Sequence, residues 1–196
     1  MARVQSIGPM WQKLRLSACS YSQKLRAIRC AAWPKALHGV AATSLSTATY
    51  ATLRSGAMRG LRADAAGANP AVHLGLVESI DLDPQGWALL QTLRLTRDCG
   101  CPDRVEQVLA DVAGGDPNVP LNSITQTLCM RLQGLGWHVD ARGHIHDLVG
   151  SFSLFGISMA ELKFRIELHW PLVVEAQTLH RRCFPSPPLL PRVGSG

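Results

Sequence analysis

The sequence predicts a mainly α-helical protein: an irregular helical domain with a small β-hairpin near residues 137–148 and disordered termini. Apolar residues recur at helical spacing along most of the chain, and capping residues mark several helix starts. Apolar and polar residues alternate around a glycine turn at the hairpin. A hydrophobic content of 46% in 196 residues indicates a folded domain rather than a disordered chain.

Residues 1–63 are predicted to form a basic helical arm. Residues 12–32 have apolar positions spaced by three or four, which is typical of an amphipathic helix. Trp33-Pro34 is expected to end this helix, because the residue before a proline disfavours helical geometry. A second helix is predicted over residues 47–62. The apolar stripes of the two helices are Leu14, Ala18, Tyr21, Leu25, Ile28 and Ala32, and Tyr50, Leu53, Ala57 and Leu61.

Residues 64–182 are predicted to form a helical domain that carries the small hairpin. Asp83-Pro84 is a clear helix start, because Asp caps exposed amides and proline suits the first turn. Asp103 marks another start in the same way. The predicted helices of this domain cover residues 70–78, 84–98, 104–113 and about 123–133.

The last part of the chain contains a hairpin signal and an ambiguous segment. Alternating apolar residues from Trp137 to Leu148 surround a glycine turn at Gly143. Residues 159–180 alternate as a strand would, yet they also share a helical face. Their composition favours a helix, with a kink at Pro171. Residues 183–196 are predicted to be a disordered, proline-rich tail.

Charge is distributed very unevenly along this chain. The first 63 residues contain no Asp or Glu, and the first acid is Asp64. The net charge of +6 therefore divides into +10 before Asp64 (ten Lys or Arg and no acid) and −4 from there on (ten against fourteen). Such asymmetry indicates either a nucleic-acid-binding arm or a targeting segment. The ten basic residues are Arg3, Lys13, Arg15, Lys24, Arg26, Arg29, Lys35, Arg54, Arg59 and Arg62.

Nucleic-acid contact is the favoured interpretation of the basic arm, with RNA or DNA bound without sequence preference. Trp11, Trp33 and Tyr50 are candidates for stacking on bases. The predicted phosphate contacts are Lys13, Arg15, Lys24, Arg26, Arg29 and Lys35.

Two alternatives remain open for the same residues. An acid-free, Arg-rich amphipathic segment is also typical of an organelle transit peptide, which would leave a small helical domain of unknown activity. The second alternative is a basic face that is exposed to water and binds no partner. A nuclear or cytoplasmic location is favoured, with the mitochondrion or plastid as the alternative.

No motif in the chain indicates catalysis, a cofactor or a membrane span. Nucleotide-binding loops, a nucleophile elbow and paired zinc-protease histidines are absent. The six cysteines are expected to be reduced thiols. Two cysteines and two histidines carry suitable zinc-binding atoms, but their spacing does not fit the common zinc sites. A structural turn is favoured over a metal site for these residues, which are Cys99, Cys101, His144 and His146.

Five short runs, taken in order, resemble the region downstream of the polymerase palm in reverse-transcriptase reading frames of protist retroelements. They lie at residues 33–39, 53–61, 83–100, 136–139 and 143–147, and the resemblance spans about residues 10–182. In that family a thumb-like helical segment follows the palm and contacts the template–primer duplex. The resemblance therefore implies a nucleic-acid partner and a face that packs against a missing palm domain.

The resemblance also implies that this chain is not an enzyme. The family's metal-binding carboxylates lie in the palm, and no Tyr-x-Asp-Asp run occurs here. No catalytic residue is therefore expected, and a truncated remnant of such a reading frame would have this organisation.

Overall fold

The computed structural model describes residues 6–43, 45–62, 69–99, 101–115 and 124–183. These residues are mostly helical and include one small antiparallel sheet, which confirms the mainly α-helical class. Cys183, the first residue of the predicted tail, still belongs to a helix, and the rest of the tail (184–196) lies outside the described part of the chain, as do the first five residues. No helix within the described residues is both long enough and apolar enough to cross a bilayer.

The first predicted helix is in fact two helices, α1 (Gly8–Leu16) and α2 (Tyr21–Ala27). Ser20 starts α2 with a reciprocal capping box: its Oγ accepts from the Gln23 amide at 3.3 Å. Its own amide donates to Gln23 Oε1 at 2.8 Å. The prediction of one helix over residues 12–32 was wrong because these two local hydrogen bonds start a new helix at Tyr21.

Trp33-Pro34 does not end the helical path, contrary to the prediction. A π-helical turn (Ile28–Ala32) continues α2 directly into α3 (Trp33–Ala36). The Trp33 amide donates to the Ile28 carbonyl, five residues back. Pro34 then falls in the first turn of α3, where its missing amide hydrogen is tolerated.

Helix α4 (Thr47–Leu61) matches the second predicted helix and follows a 3₁₀ turn (Val40–Ala42). Its predicted apolar stripe is buried throughout. Trp11 on α1 lies against Gly56 on α4, and Leu14 lies against Gly60. Contacts in this order show that the two helices run in the same direction.

The helices that follow agree with the prediction within about two residues at their described ends. Asp83 starts α6 as predicted, since its Oδ1 accepts from the Gln85 amide at 2.9 Å and the Gly86 amide at 3.3 Å. Cys101, rather than Asp103, occupies the capping position of α7 and makes no side-chain cap. These elements are α5 (Pro70–Val72), a π turn (His73–Glu78), a 3₁₀ turn (Ile80–Leu82), α6 (Pro84–Cys99), α7 (Pro102–Ala113) and α8 (Ile124–Gln133).

The predicted hairpin is present and gains a third strand. Strand β1 (His138–Val139) pairs with β2 (Ile145–His146), and β2 pairs with β3 (Ser151–Phe152), both antiparallel. Gly143 turns the hairpin at φ 79°, and a Cβ there would collide with the Glu106 carbonyl on α7. A third strand of two residues carries too little periodicity to be recognised from sequence.

The ambiguous C-terminal segment is helical, as favoured: α9 (Met159–Cys183) contains Pro171 within its length. Leu162, Ile166, Trp170 and Val173 are all buried, so the predicted helical face is the one that enters the core.

Buried apolar residues form two clusters. The N-terminal cluster runs from Ile7 to Ala88, and the C-terminal cluster runs from Ala71 to Val174. The N-terminal cluster therefore takes Leu74, Leu82 and Ala88 from beyond residue 63. The division of the chain at residue 63 stays a prediction, but residues on both sides of it share one core cluster.

Candidate nucleic-acid interface

Four of the six predicted phosphate contacts are exposed cations. Lys13 and Arg15 lie in the last turn of α1, whereas Arg26 lies on α2 and Lys35 on α3. None of the four forms an ion pair with another described residue. Their charge is therefore available to an anion from solution.

The other two predicted contacts are less available. Lys24 on α2 is only 6% exposed and lies one helical turn before the buried Ile28 of the π turn, so little of its side chain is open to a phosphate. Arg29 lies in the π turn and pairs with Asp81 at 3.1 Å, with 44% of its side chain still exposed.

The aromatic residues expected to stack on bases are buried instead. Trp11, Trp33 and Tyr50 all belong to the N-terminal cluster. Trp11 meets Trp33 edge to face at 5.7 Å, and Trp33 Nε1 donates to the Leu82 carbonyl at 3.1 Å. Their large apolar area favours the core over the surface, so this expectation was wrong.

Four cations lie at the neighbouring C-terminal ends of α1 and α4. Because α1 and α4 run parallel, their C-terminal ends lie together, and Arg62 Nε donates to the Arg15 carbonyl at 2.8 Å. A cleft of about 460 Å³ between them is lined by Gln12, Arg15, Leu16 and Arg62. We call this the cationic end, which comprises Lys13, Arg15, Arg59 and Arg62.

The cationic end also contains the negative ends of two helix dipoles. Each dipole places roughly half a negative charge at its C-terminus, which offsets part of the positive charge there. Four side-chain charges exceed that amount, so the surface stays attractive to anions. Sequence reasoning singled out neither Arg59 nor Arg62, although their place at the end of a predicted helix was visible.

Arg54 does not belong to the interface. It is one of the ten basic residues of the arm, but it is 3% exposed and binds Asp83, which is fully buried. Its charge is therefore neutralised inside the protein.

A second cationic surface is an open groove between the π turn, α3 and α6, which we call the α3–α6 groove. It has a volume of about 660 Å³ and contains no carboxylate among its lining residues. Arg29 and Arg94 contribute charge, and Trp87 and Leu95 contribute apolar surface. The other lining residues are Cys30, Pro34, Leu37, His38, Gly39, Val40, Ala41 and Gln91.

Arg131 on α8 holds one wall of this groove in place. Its Nη2 donates to the Val40 and Thr43 carbonyls at 2.7 and 3.1 Å, and its Nη1 donates to the Ala88 carbonyl at 2.8 Å. Burial lowers the pKa of the Arg131 guanidinium, and burial raises the pKa of Tyr50 beside it. The Arg131 guanidinium is therefore occupied by hydrogen bonds to the backbone and is not presented to a ligand.

The four residues considered for zinc are only partly placed by the structure. Cys101 is exposed, and the side chain of Cys99 lies outside the described residues. His146 Nε2 bonds to Asp140 Oδ2 at 2.9 Å, and its ring stacks on His138 with centroids 4.6 Å apart. Within the described residues, no three His, Cys, Asp or Glu side chains are grouped to hold a metal ion.

Comparison with family models, with curated proteins and with solved structures yields no match to this chain. The resemblance to retroelement reverse transcriptases therefore stays a prediction.

Proposed function

We propose that this chain is a non-catalytic helical module that binds RNA or DNA without sequence preference, with the cationic end as its main contact. The supporting observation is the convergence of four exposed cations at the joined ends of α1 and α4. Contacts of this kind release counterions from the phosphate backbone, which gives binding that weakens steeply with salt.

The absence of acids from the first 63 residues strengthens this proposal. Of the basic residues described there, Arg29 and Arg54 are neutralised by Asp81 and Asp83. The exposed cations outside the cationic end, Arg26 and Lys35, lie on the following helices. A surface of one sign raises the local concentration of an anionic partner and speeds its association.

A missing palm domain is a further part of the proposal. Helix α9 exposes three large apolar side chains spaced by four residues, Phe164, Leu168 and Leu172. A contiguous apolar stripe on a helix suits packing against another domain. In the retroelement family the palm would be that domain.

Packing argues for the nucleic-acid proposal over a removable transit peptide. Cleavage near residue 63 would take away most of the N-terminal cluster and would leave Asp83 buried without its partner. A reporter fused to residues 1–63 tests the alternative directly: import into an organelle would favour the transit peptide, and a diffuse or nuclear signal would exclude it.

The proposal is tested by fluorescence anisotropy with a labelled RNA–DNA hybrid over a range of salt concentrations. The variant Lys13→Gln/Arg15→Gln should bind more weakly, and its log–log salt slope should fall by about 1 for each phosphate contact removed. The variant Arg104→Gln/Arg142→Gln is a matched control, because it removes the same charge from exposed sites elsewhere. Equal losses in both variants, or binding that does not depend on salt, would contradict the proposal.

A further inference from the structure

We infer that the α3–α6 groove binds one or two bases of a single-stranded nucleic acid, with Trp87 as the stacking surface and Arg94 as a phosphate contact. This inference rests on the proposed function and adds to it a site for unpaired bases, separate from the cationic end.

The size and shape of the groove suit a nucleotide. Its volume of about 660 Å³ lies within the range of roughly 300–1,000 Å³ that is usual for small-molecule sites. It is open to solvent rather than enclosed, so linked nucleotides can enter and leave it. A duplex keeps its bases stacked inside and cannot offer them to the groove without unpairing.

Trp87 packs partly against the N-terminal cluster, and its exposed part gives the groove an aromatic surface. Among the five tryptophans it alone is not buried, since the other four are each at most 8% exposed. Leu95, two turns further along α6, is 39% exposed and adds apolar surface to the same groove. Stacking of one base on an aromatic side chain contributes about 1–3 kcal/mol and does not depend on base identity.

Charge at the groove suits a polyanion. Arg94 is exposed and forms no ion pair with a described residue. Arg29 remains half-exposed although it pairs with Asp81, and Asp81 is also paired with Lys163 at 3.6 Å. No carboxylate lines the groove, so Arg94 attracts a phosphate there, while Asp81 behind the wall offsets the charge of Arg29.

Two walls of the groove are shaped by a helical turn and by a hydrogen bond to the backbone. The π turn places Arg29 and Cys30 on one wall, and such turns are often found at functional sites. Gly39 takes φ 80° at the end of α3, and Arg131 fixes the carbonyl of Val40. A preformed site loses less conformational entropy when it binds.

Tryptophan fluorescence tests the inference on the intact chain. Acrylamide should reach Trp87 far more readily than the four buried tryptophans, and Trp87→Phe should assign that accessible signal. A hexamer of deoxythymidine should protect Trp87 from acrylamide. An abasic hexamer of the same charge is the matched probe, and it should protect Trp87 little, because it has no base to stack.

A thiol footprint gives a second readout that does not depend on a variant. Cys30 lines the groove, whereas the exposed Cys19 and Cys101 do not. The deoxythymidine hexamer should slow maleimide labelling of Cys30, measured by peptide mapping. The labelling rates of Cys19 and Cys101 should not change, so these two cysteines serve as internal controls.

A charge variant completes the test. Arg94→Gln should lower the salt slope of hexamer binding by about 0.7, the value for one phosphate contact on a single strand. The matched control is Arg104→Gln, which removes an exposed arginine from α7 and should leave the slope unchanged.

The outcomes separate this inference from the function on which it rests. Binding of hybrid and hexamer without protection of Trp87 or Cys30 would overturn the groove and leave the cationic end intact. If neither the hybrid nor the hexamer binds, both the groove and the proposed function are overturned. Stronger protection by polyglutamate than by the hexamer would assign the groove to acidic peptides and overturn the inference.

Discussion

Arg54 on α4 and Asp83 at the start of α6 form a buried, two-pronged ion pair. Arg54 Nε donates to Asp83 Oδ2 at 2.5 Å, and its Nη2 donates to Oδ1 at 2.9 Å. Asp83 Oδ1 also accepts the backbone amides that start α6. One carboxylate therefore caps a helix and anchors the acid-free segment to the rest of the protein.

Removing the arginine from this pair should be costly. Arg54→Met leaves the fully buried Asp83 without its cation, and breaking a buried pair in this way costs about 3–5 kcal/mol of unfolding free energy. Urea denaturation followed by circular dichroism measures the loss. Arg59→Met on the same helix is the exposed control and should change the stability by less than about 0.5 kcal/mol. Equal effects of the two variants would contradict this account.

Residues 64–196 should not fold cooperatively by themselves. Without the first 63 residues, Leu74, Leu82 and Ala88 lose the cluster that covers them, and Asp83 loses its partner. We expect a broad thermal transition and binding of a hydrophobic dye, which indicate exposed apolar surface. A sharp transition like that of the full chain would show instead that residue 63 is a true domain boundary.

Gly56→Ala should destabilise the contact between α1 and α4. A Cβ at Gly56 would overlap the indole of Trp11, which is itself buried, so the core around Trp11 would have to shift. Overpacking of this kind costs about 1–3 kcal/mol, against roughly 1 kcal/mol of gain in helix propensity. Gly8→Ala is the matched control, because a Cβ at Gly8 has open space. Thermal denaturation should place the Gly56 variant below the wild type and the Gly8 variant at or above it.

The hairpin should lose stability in acid. The hydrogen bond from His146, followed by the backbone amides of Arg142 and His144, lowers the pKa of Asp140 from 3.8 to about 2. A lowered folded-state pKa stabilises the protein above the unfolded value, and that stability is lost as the pH falls from about 4 to about 2. Asp140→Asn should therefore be less stable than wild type at pH 6.

The check is how the stability difference between the wild type and the Asp140→Asn variant changes with pH. Urea titrations of both proteins at pH 6, 3 and 2 should show the gap closing as Asp140 takes up its proton. The effect should be modest, because about a third of the Asp140 side chain is exposed to solvent. Asp98→Asn removes an exposed carboxylate as a control, and a gap of constant size across the three pH values would rule out this role for Asp140.

Local signals predicted most of the secondary structure correctly. The helix start at Asp83-Pro84 and the buried stripe of α4 depend on contacts within a few residues, which can be recognised in the chain itself. The helix break at Ser20 also has a local signal, the Ser-x-x-Gln capping box. The prediction missed it because the apolar periodicity continues across the break. The π turn before Pro34 has no such signature, so its helix was ended too early.

The candidate site was less predictable than the helices. Lys13 and Arg15 were identified from charge and are exposed, but Lys24 carries the same charge on the same predicted helix and is buried. Trp11, Trp33 and Tyr50 were expected to stack on bases but lie in the core, as the place of Tyr50 in the apolar stripe of its helix indicated. The sequence shows which aromatic residues the chain contains, but packing determines which of them a ligand can reach.

The sequence by itself determined the helical class, most helix ends and the concentration of positive charge before Asp64, because these follow from nearest neighbours and simple counts. The tertiary structure decided which charges are free. Arg54 is neutralised by Asp83, 29 residues away, whereas Arg62 joins Arg15 at the end of two parallel helices. Both outcomes depend on how α1, α4 and α6 pack, and packing combines contacts between distant residues that no local pattern records.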